Sequence, residues 1–174
     1  EVAVERCFDR AAVLAAVRAL MRSPIGMATV QDPPPNATGP GLGGGIALSD
    51  GERAWWIDEN LMSDSLEALR NLLGPDGPGV VAHDAKPAFR AMARLGLDEV
   101  TLVMDTALAA YLLDPADAGY DLATLLERYD GRSLPDLGPP DGQFDLSGET
   151  SDPAVEAGVR AAAAATLQKP LLTA

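Results

Sequence analysis

The sequence predicts an α/β domain, a mixed sheet of about five strands flanked by helices on both faces. Three observations lead there. Asp50-Gly51 between two short apolar runs is the strongest hairpin signal in the chain and makes two strands antiparallel. Beyond the hairpin, short apolar runs alternate with segments of helical periodicity, and a helix between two strands forces a parallel crossover. The 174 residues are 47% hydrophobic, enough to build one sizeable core.

Each element has its own signal. Val13, Leu14, Val17, Leu20 and Met21, behind a capping Asp9, predict a first helix that ends before Pro24. Ile25 to Gln31 reads as the first buried strand, stopped by Pro33, Pro34 and Pro35, with a mobile Pro/Gly loop at about 32–45 behind it. Ile46 to Ser49 and Ala54 to Ile57 form the hairpin, so Trp55 and Trp56 point to opposite faces. Ser63 reads as the N-cap of a helix with Leu66, Leu69, Leu72 and Leu73 as its apolar stripe, ended by Gly74-Pro75.

Val80 to Ala82 is then a strand, Lys86 to Leu95 a helix bearing Phe89 and Met92, and Val100 to Met104 another strand. Short helices follow over Asp105 to Leu113 and Leu122 to Tyr129, joined through Pro115. A second mobile loop is expected at about 135–151, polar and without periodicity. Asp152 caps and Pro153 opens a final alanine-rich helix, propagated from Ala154 to Gln168 and halted by Pro170. There is no internal repeat, and residues 1–174 read as a single domain.

Charge and cysteine count exclude several classes of function. With 13 basic and 26 acidic residues the net charge is −13, which leaves no basic surface for free-standing nucleic-acid binding. One cysteine, Cys7, excludes an internal disulfide and a cysteine-rich zinc site; beside Phe8 it reads as a small buried hydrophobe. One histidine, His83, leaves no partner for a histidine metal cage. Residues 1–10 carry both signs of charge without a signal-peptide core, and no apolar run approaches a membrane span, so a soluble cytoplasmic domain without membrane contact is expected.

Two local patterns invite a chemical reading. Gly39, Gly41 and Gly44 spell G-x-G-x-x-G, but prolines precede them and a hairpin strand follows, where a dinucleotide cradle needs a strand before and a helix after. A loop is the reading that fits. His83-Asp84 at a strand end resembles an acid/base pair, yet with no second histidine and no nucleophile-elbow serine, capping and packing roles are expected.

The order strand, hairpin, helix, strand, helix, strand, helices is the plan of ribonuclease H-like nucleases. Three blocks narrow it: Val80-Val-Ala-His-Asp-Ala-Lys-Pro-Ala-Phe-Arg-Ala-Met, Met104-Asp-Thr-Ala-Leu-Ala-Ala-Tyr-Leu-Leu-Asp-Pro, and Tyr120-Asp-Leu-Ala-Thr-Leu-Leu-Glu-Arg-Tyr. Together they resemble the 3'-5' exonuclease domain of bacterial DNA polymerase I, the second and third blocks most specifically.

In active members that resemblance implies two divalent metals held by four carboxylates, because in-line phosphodiester hydrolysis needs cations roughly 3.5–4 Å apart on the attacking and leaving oxygens. The family's first-strand Asp-x-Glu pair falls here on Thr29 and Gln31. Its third aspartate falls on Ala88, counted from Lys86, and its fourth near Ala162, counted from Thr166-Leu-Gln, with the tyrosine partner near Gly158. All are neutral. The resemblance therefore implies a degenerate site at Thr29, Gln31, Ala88 and Ala162, with no metal and no other cofactor. Of the nearest substitutes, Asp32 faces the other side of the sheet from Gln31, and Asp105 and Asp84 sit where helix caps are expected.

The expected function is a catalytically inactive, proofreading-like domain that supports a polymerase domain beyond residue 174 in DNA replication and repair, touching DNA through that parent polymerase. The alternative is an active metal-dependent 3'-5' DNA exonuclease with a rearranged ligand set; an isolated ribonuclease D-like RNA exonuclease is more distant. The missing carboxylates count against both, and the lack of a basic RNA-binding segment counts further against the last.

Overall fold

The computed structural model describes residues 2–30, 44–135 and 152–174. The chain runs β1 (Ala3–Cys7), α1 (Arg10–Leu20), β2 (Ile25–Thr29), β3 (Gly45–Ser49), β4 (Arg53–Asp58), α2 (Glu59–Asp64), α3 (Leu66–Leu73), β5 (Val80–Ala82), α4 (Ala85–Arg94), β6 (Leu102–Asp105), α5 (Thr106–Leu113), α6 (Leu122–Asp130) and α7 (Pro153–Thr173). Among the described residues six strands form one mixed sheet, in the order β1-β4-β3-β2-β5-β6. β2, β3 and β4 pair antiparallel, while β1 runs parallel to β4, β5 to β2, and β6 to β5.

Side-chain alternation sorts the two faces by size. On one face Ile25, Met27, Ile46, Leu48, Trp55 and Ile57 pack with Val13, Leu20, Leu69, Leu72, Leu73 and Met92 beneath α1, α3 and α4. The opposite face carries Gly26, Ala28 and Ala47 on β2 and β3, with Trp56 the large exception, and α7 meets it through Ala154, Ala157 and Ala161. Small residues on both sides let the helix and sheet backbones approach closely. A Cβ at Gly26 would lie 1.9 Å from the Ala161 carbonyl oxygen, and one at Gly158 would lie 2.5 Å from a methyl of Val4. The far side of α7 packs Ala163, Leu167 and Leu171 against Leu122, Leu125 and Leu126 of α6 and Ala110 of α5.

The hairpin forms as its sequence predicts. Gly51 takes φ +98, and the Asp50 carboxylate accepts the N–H groups of Glu52 at 3.0 Å and Arg53 at 2.8 Å. Trp55 and Trp56 are both buried, on opposite faces. Asp9 caps α1 through the Ala12 N–H, 2.8 Å away, and Cys7 is buried. Burial and neighbouring acids push the Cys7 thiol up to about 11, so it stays protonated and inert.

Several expectations need correction. A sixth strand, β1, pairs along β4 where none is predicted; it is an edge strand in which Cys7 alone is fully buried, so no apolar alternation announces it. Ser63 lies inside α2 and caps nothing, because β4 passes at Asp58 straight into a helix. Met21 is 45% exposed and does not belong to the apolar stripe of α1. Pro170 does not halt the last helix, which runs to Thr173; one backbone bond missing near its end is offset by burial of Leu171 in the α5–α6 cluster. The loops expected at about 32–45 and 135–151, with Gly39 and Gly41, lie outside the described residues except for Gly44, Gly45 and Pro135.

Asp152 joins the first strand to the last helix. Its carboxylate accepts the Ala154 N–H at 3.0 Å, capping α7, and pairs with the Arg6 guanidinium of β1. The hydrogen bond from Arg6 chiefly holds this carboxyl below its ordinary value of 3.8.

Two measurements test this packing. Gly26→Ala, which drives a methyl into the α7 backbone, lowers the unfolding free energy by about 3 kcal/mol in urea titration; a loss under about 1 kcal/mol contradicts the close approach. Asp152→Ala costs about 1 kcal/mol at pH 7. Because the folded-state pKa of Asp152 is depressed, its contribution is complete above the unfolded value and disappears as pH falls through the folded one, so wild type and variant converge in acid below about 3.8. A gap that persists there refutes the assignment.

Candidate functional site

Because β2, β5 and β6 run parallel, their carboxyl ends open on the same edge of the sheet, the place where open α/β sheets form crevices. A cleft of about 380 Å³ lies there, walled by Thr29 at the end of β2 and Val30 after it, His83 and Asp84 after β5, Pro87 and Ala88 of α4, and Arg160 of α7.

One carboxylate organises the wall. Asp105, at the end of β6, accepts the N–H groups of Ala107 at 3.0 Å and Leu108 at 3.4 Å, capping α5, and also those of Asp84 at 3.2 Å and Ala85 at 2.8 Å at the start of α4. A single side chain thus satisfies donors at two helix N-termini, where a negative charge is stabilised. The predicted cap of α5 is in place. Asp84 does not cap α4 with its own side chain: it takes the left-handed conformation, φ 52 and ψ 60, and leaves its carboxylate exposed at the cleft rim while Asp105 does the capping.

His83 is a packing residue. Its Nδ1 lies 2.8 Å from the Oγ1 of Thr106, which is fully buried, so the imidazole bridges the end of β5 to α5. Burial, then the nearby Arg160 guanidinium, hold its pKa below the ordinary 6.5, against the opposing pull of Asp105, Asp84 and Asp121.

The predicted site positions are only partly brought together. Thr29 and Ala88 both line the cleft. Gln31 and the weighed substitute Asp32 lie outside the described residues. Ala162 is not in the cleft: it is buried and lines a separate hollow of about 110 Å³ with Leu126, Arg132 and Thr166. The residue that α7 turns into the cleft is Arg160, about 200° around the helix from Ala162. Reasoning from sequence missed Arg160, although a lone charge between Ala157 and Thr166 in an otherwise apolar run was a visible signal.

This donor set does not fit a pair of divalent cations. Thr29 and Ala88 are neutral, both oxygens of Asp105 already accept backbone N–H groups, and Arg160 places a positive charge where hard cations need anionic oxygens. Among the described residues, no three His, Cys, Asp or Glu side chains gather into a metal-binding group.

The residues of the sequence blocks that resemble a known family build the scaffold around the cleft. Besides Asp105 and Thr106, Tyr111 meets Tyr120 edge-on at 5.7 Å, the Tyr120 hydroxyl donates to the Asp114 carbonyl at 2.7 Å, Asp121 caps α6 through Thr124 N–H at 3.0 Å, and Arg128 pairs with Asp117.

A mixed sheet with the hairpin at its centre, a long helix across one face and a cleft at the carboxyl ends of the parallel strands defines the ribonuclease H-like exonuclease fold. Solved structures agree on the fold. A POL domain of Pol1 from M. smegmatis, complexed with DNA primer-template and dNTP, superposes with a TM-score of 0.71 at 24% identity, over 97% of this chain and 27% of that one. Escherichia coli RNase D, an exoribonuclease involved in structured RNA processing, gives 0.69 at 16% identity over 98% of this chain and 44% of its own. The Nibbler EXO domain of Aedes aegypti gives 0.68 at 15% identity over 98% and 87%.

Residues 43–136 match the family described as DNA polymerase I, ribonuclease H-like domain, and the chain belongs to that family. DNA polymerase I of Mycobacterium tuberculosis is 34% identical over 101 residues and that of Mycobacterium leprae 35% over 102, in each case 58% of this chain. The chain spans 11% of the length of these relatives.

Neighbouring aspartates in the wall have opposite expected effects. Asp105→Ala removes the acceptor for two helices and costs about 2 kcal/mol, whereas Asp84→Gly relieves a left-handed non-glycine residue and is stabilising by about 0.5 kcal/mol. Denaturant titration of both variants is the check; equal losses would contradict the shared cap.

Proposed function

We propose that this chain is a catalytically silent, proofreading-like domain of a bacterial DNA polymerase I, which serves as a structural support for an adjoining polymerase domain in DNA replication and repair. The observation that carries the reading is Arg160: it lines the cleft at the strand ends together with the neutral Thr29 and Ala88, where active relatives would assemble metal-binding carboxylates. Metal-activated water and a metal-stabilised leaving oxygen supply most of the rate in this chemistry, and His83, held to Thr106 and with its proton affinity lowered by burial, replaces neither.

DNA contact belongs, in this reading, to the polymerase domain, in keeping with the net charge of −13 on this chain. Exposed Leu108, Tyr111 and Leu112 of α5, with Leu102 and Val103 of the edge strand β6, offer an apolar surface suited to contact with a neighbouring domain. No helix among the described residues is long and apolar enough to cross a membrane. A cytoplasmic setting suits this role. The alternative, an active exonuclease with a rearranged ligand set, has one feature in its favour, the exposed Asp84 carboxylate at the cleft rim. One such carboxylate facing a guanidinium is a poor ligand set for two divalent ions.

The test is release of labelled mononucleotides from the 3' end of single-stranded DNA in magnesium or manganese, compared with a chelator control. Release equal to that control is expected. Release that scales with protein and disappears with chelator overturns the proposal in favour of the alternative.

A further inference from the structure

Arg160 has no evident packing role. The rest of α7 between Ala157 and Thr166 is small and apolar, made for close contact with the sheet, yet at this position the helix carries a long cation into a half-buried setting. Burial lowers its proton affinity, and Glu156, one turn earlier on the same helix, offsets part of that cost. His83 lines the same cleft, and Arg160 depresses its proton affinity further than burial alone. Arg160 therefore brings a positive charge to this cavity, beside an imidazole of lowered proton affinity, in a chain of net charge −13. Among the described residues the nearby carboxylates are Asp105, which accepts four N–H groups, Asp121, which caps α6, Asp84, exposed at the rim, and Glu156 on the same helix as Arg160.

We propose that this cleft is a metal-free oxyanion site, in which Arg160 grips a phosphate group by its planar fork while His83 and the Thr29 hydroxyl line the remaining sides. Guanidinium suits the task because its paired N–H donors match two oxygens of a phosphate, and a partly desolvated cation gains more from such a partner than an exposed one. The inference rests on the reading of the cleft as lacking metals. It adds that the positive charge has been brought into the protein itself, on α7, and that the cleft still accepts phosphate.

The experiment titrates inorganic phosphate into the full chain in the presence of chelator, followed by the amide resonances of Asp84 and Ala85 and by calorimetry. A nucleoside 5'-monophosphate and a 3'-phosphorylated oligonucleotide, in parallel arms, separate a free phosphate from the end of a strand. Saturable binding in chelator is expected, weakened at least tenfold by Arg160→Met and only partly by Arg160→Lys, which keeps the charge but loses the fork. Lys169→Met, an equal change of charge on an exposed turn of the same helix, leaves binding intact. The lysine variant keeps the test decisive if the methionine variant fails to fold. Absence of binding in chelator, or equal weakening by Arg160→Met and Lys169→Met, overturns the inference while leaving the domain catalytically silent. Binding that requires manganese and is accompanied by nucleotide release overturns both readings.

Discussion

The structure depends on how closely one helix lies against the sheet. α7 touches β2 at Gly26 with backbone against backbone, a contact available only because glycine faces the Ala161 carbonyl and alanine fills the turns on either side. With that distance set, the far side of α7 carries Leu167 and Leu171 to α5 and α6, so the second apolar cluster is assembled on the helix and not on the sheet. The same approach brings Arg160 to the strand ends. A bulkier helix would stand farther off, and the cleft would lose that wall.

Much of this architecture was legible in the sequence because local and tertiary signals agreed. Asp50-Gly51 announced a hairpin, Asp9, Asp105 and Asp152 announced helix starts, and the alternation after Trp56 announced parallel strands; each is realised by a hydrogen bond or a pairing that the residue type prefers. The failures occurred where burial overrode local preference or left no trace. β1 exposes most of its side chains, so its place is fixed by pairing with β4, which no local pattern encodes. Ser63 has the chemistry of a cap but sits within α2, and Asp84 occupies a cap position while the carboxylate of Asp105 acts from another strand.

Candidate positions at strand ends and helix starts were easier to place from the sequence than those along the last helix. Thr29 and Ala88 do share the cleft, since strand ends and a helix start fix where their side chains go. On α7, counting along the motif gives a position in the chain without settling which face of the helix meets the strand ends, and a helix sends residues two apart to nearly opposite sides. The alanine run from Ala161 to Ala165 also has two meanings. The family resemblance led to an expectation of missing ligands there; within this molecule Ala161 and Ala165 are the surface that lets Gly26 approach.

Asp105 separates durability from chemistry. A nuclease pocket shaped by bound ions would lose its form when they leave, but here α4 and α5 are pinned together by one carboxylate and four backbone amides that a metal does not replace. Thr29 and Ala88 take no part in that pin; Thr29 is held by its pairing with Ile46 and Ala88 by packing against the core. In a domain built in this way the form of the cleft rests on the chain's own hydrogen bonds, whatever chemistry the cleft performs.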